Sequence, residues 1–195
     1  KENYERWMNR EIQRFQARGE VPRLLLHSCC APCSSAVLES VFRYFEITIF
    51  YYNPNIFPKE EYLQGAGAKA VLAQFPPASS VTFLEGDYQP ERFFQLAQGL
   101  EQEPEGGERC ARCYELRLRR TAELARELGF SYFTTTLSIS YKTRKSLTPL
   151  AGSSLRNTRF LTYILILKRR TVYKRSIALS REYGCTGRSF AAALS

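Results

Sequence analysis

A chain of 195 residues that is 44% hydrophobic and 24% charged can form one domain with its own core, so it is neither a disordered nor a fibrous protein. No apolar run reaches the roughly 18 residues of a membrane helix, and the first residues carry mixed charge, so we expect no membrane association, no signal peptide and a cytoplasmic location. The net charge is +9, with ten Lys or Arg and no acid between Ser140 and Ser176, which favours nucleic acid as partner over a merely solvated surface.

Apolar periodicity predicts alternating helices and strands in the first half of the chain. Turn-forming residues fill the segment from Asn53 to Pro58. In chain order the predicted elements are a helix from Tyr4 to Ala17 stopped by Gly19, a strand from Arg23 to His27, a helix capped by Ser34 or Ser35, a strand from Ile47 to Tyr52, and a helix from Pro58 to about Phe75.

The same alternation continues in the second half. The predicted elements are a strand from Val81 to Leu84, a helix from Pro90 to about Gln102, a loop from Glu103 to Glu108, a helix from Arg109 to Leu128 ended by Gly129, a strand from Phe130 to Thr136, a buried strand from Phe160 to Leu167, a helix from Val172 to Tyr183 and a tail from Cys185 to Ser195. This order predicts an α/β fold, with one parallel sheet between two layers of helices, in a single domain spanning residues 1–195.

Five of the six cysteines fall in two short segments. Cys29, Cys30 and Cys33 follow the first predicted strand, and Cys110 and Cys113 open a later helix. Ligands of open α/β sheets bind outside the carboxyl ends of the strands, so we expect both thiol groups at that edge. Two separated C-x-x-C motifs are typical of a metal site, and four thiolates suit either Zn²⁺ or an iron–sulfur cluster.

The spacing leaves three arrangements open. Cys30 and Cys33 could join Cys110 and Cys113 in a zinc-ribbon-like site, or the adjacent pair of Cys29 and Cys30 could take their place. In the third arrangement Cys30 and Cys33 form a thioredoxin-like redox pair at a helix amino terminus, where a thiol pKa falls. That arrangement gives the second C-x-x-C no role.

The thiol segments resemble those of the cobalamin-independent epoxyqueuosine reductases, the QueH family. The resemblance runs in family order over nearly the whole chain, and the cysteine motifs together with a triple threonine make it specific. The similar segments are residues 26–34, 50–56, 61–62, 106–114, 133–140 and 173–176.

The resemblance implies a Rossmann-like fold of the adenine nucleotide α-hydrolase (HUP) class, in which the thiol loop replaces the phosphate loop. It implies a [4Fe-4S] cluster on Cys29, Cys30, Cys110 and Cys113, and it leaves room for a second, mononuclear iron. The implied reaction reduces the epoxide of epoxyqueuosine to queuosine at the wobble position of tRNA, with electrons from an external donor.

Several further residues are candidates for catalysis or substrate binding. Beside the cluster, His27 could orient a ligand, donate a proton or simply end a strand, and Cys33 is a candidate catalytic thiol. Tyr51 or Tyr52 could stack on a splayed anticodon base. The candidates for contact with substrate or tRNA are Tyr52, Asn53, Asn55, Thr135, Thr136, Ser138, Tyr173, Lys174 and Arg175. Ordinary turn, strand and surface roles compete with each of these assignments.

The chain departs from the family's pattern near its carboxyl end. A Cys-Gly-Cys expected there is replaced by Phe190 to Ser195, without a thiol, and Tyr163 to Leu167 lacks an expected acid. A proline expected between Ser140 and Tyr141 is missing as well. We therefore expect an intact cluster site with impaired turnover. The alternatives are a zinc-stabilised RNA-binding module without catalysis and a thiol oxidoreductase that uses Cys30 and Cys33.

Overall fold

The structure is a computed structural model that describes residues 4–66, 81–139 and 178. The predictions for residues 67–75, for the strand at 160–167 and for the carboxyl-terminal helix and tail lie outside these residues, apart from Ala178, which is helical. The elements are α1 (Tyr4–Ala17), β1 (Arg23–Ser28), α2 (Ala31–Val41), β2 (Glu46–Tyr51), α3 (Lys59–Ala66), β3 (Val81–Glu85), α4 (Pro90–Ala97), α5 (Glu108–Glu127), β4 (Tyr132–Thr135) and a 3₁₀ turn (Thr136–Ile139).

The four strands form one parallel sheet in the order β3-β2-β1-β4, which confirms the predicted α/β architecture. The strand β1 lies in the middle, with β2 on one side and β4 on the other. In this register His27 of β1 is level with Phe50 of β2 and with Thr135 of β4. Because all strands run the same way, the loops that follow β1, β2 and β4 meet at one edge of the sheet.

Helices cover both faces of the sheet. Leu24 and Leu26 of β1 pack in a core cluster with residues of α1 and α2, whereas Leu25 packs with Ala122 and Ala125 of α5. All three leucines are fully buried. A strand that is buried on both faces has a continuous apolar sequence, and β1 shows this pattern.

The start of α2 differs from the prediction. Its amino-terminal cap is Cys30, in an extended conformation with φ −162° and ψ 160° and without a side-chain capping bond, so the predicted cap at Ser34 or Ser35 is wrong. The hydroxyl of Ser34 instead donates to the Cys30 carbonyl, 2.7 Å away, inside the first turn. A proline in the first turn suits this start, because it has no amide hydrogen to satisfy.

Helix ends were predicted with mixed success. The helix α4 ends at Ala97 rather than near Gln102, because Gln98 leaves the helical region at ψ 126°. In contrast, α5 ends as predicted before Gly129, which adopts the left-handed φ of +66° that only glycine tolerates readily. Across the described segments the helices are too short or too polar for any of them to cross a lipid bilayer.

Candidate metal centre

Three thiols lie together at the carboxyl end of β1. Cys29 follows the strand, Cys30 caps α2 and Cys33 stands in its first turn. Their sulfur atoms all lie within 4.8 Å of one another, and those of Cys29 and Cys30 are 3.8 Å apart. Tetrahedral thiolate ligands at about 2.3 Å from a metal have sulfur–sulfur separations of about 3.8 Å. This group could therefore hold a metal.

The three thiols are not equivalent electrostatically. Hydrogen bonds from the Cys30 and Cys33 thiols, aided by the charge of Arg117, lower the pKa of Cys29 well below its usual range. The same contacts and burial raise the pKa values of Cys30 and Cys33. Cys29 is therefore the first thiolate of the group.

The second thiol pair stands on the first turns of α5. The backbone amide of Gly106 donates to the Cys110 sulfur at 3.3 Å. Cys113 is buried against Phe93 and Ala97 of α4, and this burial raises its thiol pKa. Within the described residues, the close group of metal-ligating atoms contains the three thiols of the first loop and neither thiol of the second.

A buried arginine, which the sequence pattern did not single out, joins α5 to the ends of β1 and β2. Arg117 of α5 is only 4% exposed. Its Nη2 donates to Asn53 Oδ1, its Nε lies 3.4 Å from His27 Nε2, and its position on α5 is one helical turn after Cys113. No carboxylate within residues 4–66 and 81–139 forms an ion pair with it.

His27 is fully buried, and both of its ring nitrogens contact protein groups. Nδ1 lies 2.8 Å from Thr135 Oγ1 and Nε2 lies 3.0 Å from the Tyr52 carbonyl oxygen. The Tyr52 carbonyl can only accept, so it would pair with a protonated Nε2, whereas Arg117 Nε donates toward the same Nε2 at 3.4 Å and would pair with its unprotonated form. Burial, reinforced by the charge of Arg117, lowers the pKa of His27 to about 3. The neutral ring thus joins the ends of three strands, which suits an orienting role better than proton donation.

The residues after β2 are more deeply buried than turn residues usually are. Asn53 is fully buried and donates from Nδ2 to the Ser28 carbonyl at 3.0 Å. The Oδ1 atom of Asn55 is buried and lacks a hydrogen-bond partner among the described residues. The rings of Tyr51 and Tyr52 are each 1% exposed, so neither presents the stacking face that the sequence suggested.

Two of the three consecutive threonines contact the site. The Thr136 hydroxyl lies 3.0 Å from the Cys29 sulfur, and Thr135 Oγ1 accepts a hydrogen bond from the Leu137 amide at 3.1 Å. Ser138 follows in the 3₁₀ turn. The candidate residues Tyr173, Lys174 and Arg175 lie outside the described residues.

Comparison with known proteins gives one consistent result. The profile of the family described as "Epoxyqueuosine reductase QueH" matches residues 24–190. A protein of that name from Staphylococcus epidermidis is 38% identical over 190 residues, covering 93% of this chain and 79% of the relative. A Streptococcus pyogenes protein of that name is 36% identical over 185 residues, covering 93% of this chain and 72% of the relative. One from Haemophilus influenzae is 44% identical over 119 residues, covering 60% and 47%. The chain belongs to the epoxyqueuosine reductase QueH family.

Proposed function

We propose that this chain reduces the epoxide of epoxyqueuosine to the alkene of queuosine at the wobble position of tRNA. The overall conversion takes up two electrons and two protons and releases the epoxide oxygen as water. The proposal rests on the three thiols of Cys29, Cys30 and Cys33, which lie together at the edge of the sheet in a chain whose relatives are named epoxyqueuosine reductase.

The proposed cofactor is a [4Fe-4S] cluster held by Cys29, Cys30, Cys110 and Cys113. Soft thiolate ligands select iron–sulfur clusters or zinc, so the donor set fits. Arg117 is compatible with this ligand set, because it stands one helical turn after Cys113 on α5 and lies beside His27, two residues before Cys29. When bound, such a cluster supplies electrons singly from an external donor, and Lewis-acidic iron stabilises negative charge on oxygen.

The protein residues would hold and shape this site. The Thr136 hydroxyl contacts the Cys29 sulfur, and His27 fixes the strand ends through the Tyr52 carbonyl and Thr135. Cys33, within 4.8 Å of both neighbouring sulfurs, remains the candidate catalytic thiol beside the cluster. The buried, unpartnered Oδ1 of Asn55 is an acceptor available to a donor group of the nucleoside, because leaving it unsatisfied is costly.

The proposed partner is tRNA, bound through the basic segment between Ser140 and Ser176. Its ten cationic residues, including Lys174 and Arg175, would neutralise phosphates of the tRNA. Tyr173 and Ser138 are proposed as further contacts with the tRNA. Affinity for tRNA should therefore fall steeply with salt. A cytoplasmic setting is part of the proposal, and the five described cysteines are free thiols, as a reducing compartment requires.

The test is anaerobic purification followed by iron and sulfide analysis and by turnover on tRNA that carries epoxyqueuosine. We expect bound iron and sulfide, with any iron in excess of sulfide indicating a second, mononuclear site. Conversion, read by nucleoside mass, should be slow, because residues 190–195 contain no thiol. Colourless protein that holds zinc, binds tRNA and takes up no electrons would instead establish the zinc-stabilised RNA-binding module.

A further inference from the structure

Arg117 is a buried cation whose neighbours are neutral polar groups and thiols. Asn53 and His27 contact it as neutral groups, and Cys113 stands one helical turn before it on α5. The described part of the chain gives it no carboxylate partner. A desolvated charge without a counter-charge is strongly unfavourable, so a nearby anion is needed to justify it.

The thiolate forms of the two cysteine groups are the anions available at this edge of the sheet. A divalent metal bound by three or four thiolates carries a net charge of −1 or −2, and one arginine neutralises part of it. The neutral side chain of Asn53 matters here, because it accepts a hydrogen bond from Arg117 without cancelling its charge. An aspartate at that position would form an ion pair and remove the positive charge from the site.

We propose that Arg117 is a positioning residue that ties α5, the helix that carries Cys110 and Cys113, to the ends of β1 and β2 and compensates the negative charge of the thiolate-bound metal. This inference rests on the proposed metal centre. The guanidinium is suited to both tasks, since its planar fork of donors can contact several acceptors at once and stays charged when buried. Exposed arginines of α5, such as Arg119 with its ion pair to Glu115, perform neither task.

The experiment measures Co²⁺ binding to the full chain freed of metal, read by the thiolate-to-cobalt charge-transfer band. Arg117→Gln should weaken Co²⁺ binding about tenfold or more, as the loss of supporting contacts around metal ligands does. Asn53→Asp, which keeps the arginine but neutralises it, should weaken binding in the same direction. Arg117→Lys keeps the charge and should recover most of the affinity, and the control Arg119→Gln should leave it unchanged.

Salt separates a buried charge from a surface effect. The loss in Arg117→Gln should persist at 0.5 M KCl, where interactions between exposed charges are screened. If both Arg117→Gln and Asn53→Asp bound Co²⁺ as tightly as the wild type, the inference would be overturned. It would also be overturned if the wild type showed no thiolate-to-cobalt charge-transfer band. A Lys variant as weak as Gln would overturn the charge-compensating part. Because cobalt binding is read without iron, sulfide or tRNA, failure of epoxyqueuosine turnover does not decide this test.

Discussion

The Thr136 hydroxyl and Cys29 are joined by two contacts. The hydroxyl lies 3.0 Å from the Cys29 sulfur, and its oxygen accepts a hydrogen bond from the Cys29 backbone amide, also at 3.0 Å. A hydrogen bond donated to sulfur favours the thiolate, so it contributes to the lowered pKa of Cys29. The 3₁₀ turn after β4 therefore helps to set the charge state of a thiol at the end of β1.

Replacing Thr136 by valine keeps the shape of the side chain and removes the hydroxyl. We expect a higher pKa for Cys29 and therefore slower alkylation of this thiol by iodoacetamide at pH 7 in the metal-free chain, read by peptide mass spectrometry. Thr136→Ser retains the hydroxyl and should restore the rate. Equal alkylation of Cys29 in the wild type and in Thr136→Val would show that the hydroxyl has no influence on the sulfur.

Serine substitutions distinguish the cluster ligands from the catalytic thiol. Under the proposed assignment, Cys110→Ser and Cys113→Ser lose iron and sulfide, whereas Cys33→Ser keeps both and loses turnover. The measurement is iron and sulfide per chain after anaerobic purification, with thermal unfolding as a check on folding. The opposite pattern, with cluster lost in Cys33→Ser and kept in Cys110→Ser, would assign the ligands to the three grouped thiols of the first loop.

The buried His27 makes stability depend on pH in the metal-free chain. Its pKa is lowered to about 3 in the folded state, from an ordinary value near 6.5, first by burial and then by Arg117. The unfolded chain therefore binds the extra proton below about pH 6.5, and the folded chain does not. The free energy of unfolding should fall as pH falls through this window, by roughly 1.4 kcal/mol per unit at most, and be flat above it.

The control for this prediction is His27→Gln, which has no titrating ring. Urea unfolding of both proteins at pH 7, 6 and 5 isolates the histidine, because the other groups titrate in both. The difference in unfolding free energy between wild type and variant should narrow as the pH falls. A difference that stays constant from pH 7 to 5 would contradict the buried neutral ring.

A close approach between α3 and β2 explains a glycine inside a helix. A Cβ atom at Gly65 would overlap the Tyr51 hydroxyl, which donates to the Tyr62 carbonyl at 3.2 Å. Gly65→Ala should therefore destabilise the fold by about 1–3 kcal/mol, although alanine is the better helix former. Denaturant unfolding checks this value, and Gln64→Ala on the exposed side of α3 should change stability by less than about 0.5 kcal/mol.

The double variant tests the cause of that loss. Tyr51→Phe removes the hydroxyl, so Gly65→Ala should be less harmful in that background, and the two changes together should cost less than their sum. Additive effects would mean that the hydroxyl is not what excludes a side chain at Gly65.

The strands β1 and β2 were predictable because they are buried on both faces of the sheet. Continuous apolar runs such as that of β1 leave little choice of structure, and the predicted bounds of β1 and β2 agree to within a residue with the observed ones. The cap of α2 was not predictable from composition, because Ser34 fits the usual pattern but its hydroxyl bonds the Cys30 carbonyl instead. Local preference gave way to the geometry of the thiol loop.

The close group of Cys29, Cys30 and Cys33 was predictable by spacing, but the buried arginine of α5 was not. Arg117 is one of several arginines along α5, and charge alone marks none of them as buried. A signal does exist, because Cys113, Arg117 and Thr121 are four residues apart and share the buried face of the helix. An arginine spaced four residues from buried positions on a helix is thus predicted to be buried as well. The partners of Asn53, Arg117 and the Ser28 carbonyl, are distant in the chain, so no local pattern could reveal its interior position.

The register of the sheet has a consequence for the Cys29 thiol. His27 contacts Thr135 only because β1 and β4 pair level at this position, and a slip by one residue would turn Thr134 to that face instead. The hydroxyl of Thr136 would then lose its place beside Cys29 as well. The pairing of β4 with β1 therefore decides whether the Cys29 sulfur keeps its hydroxyl donor, so strand alignment tunes the reactivity of a thiol more than a hundred residues away in the chain.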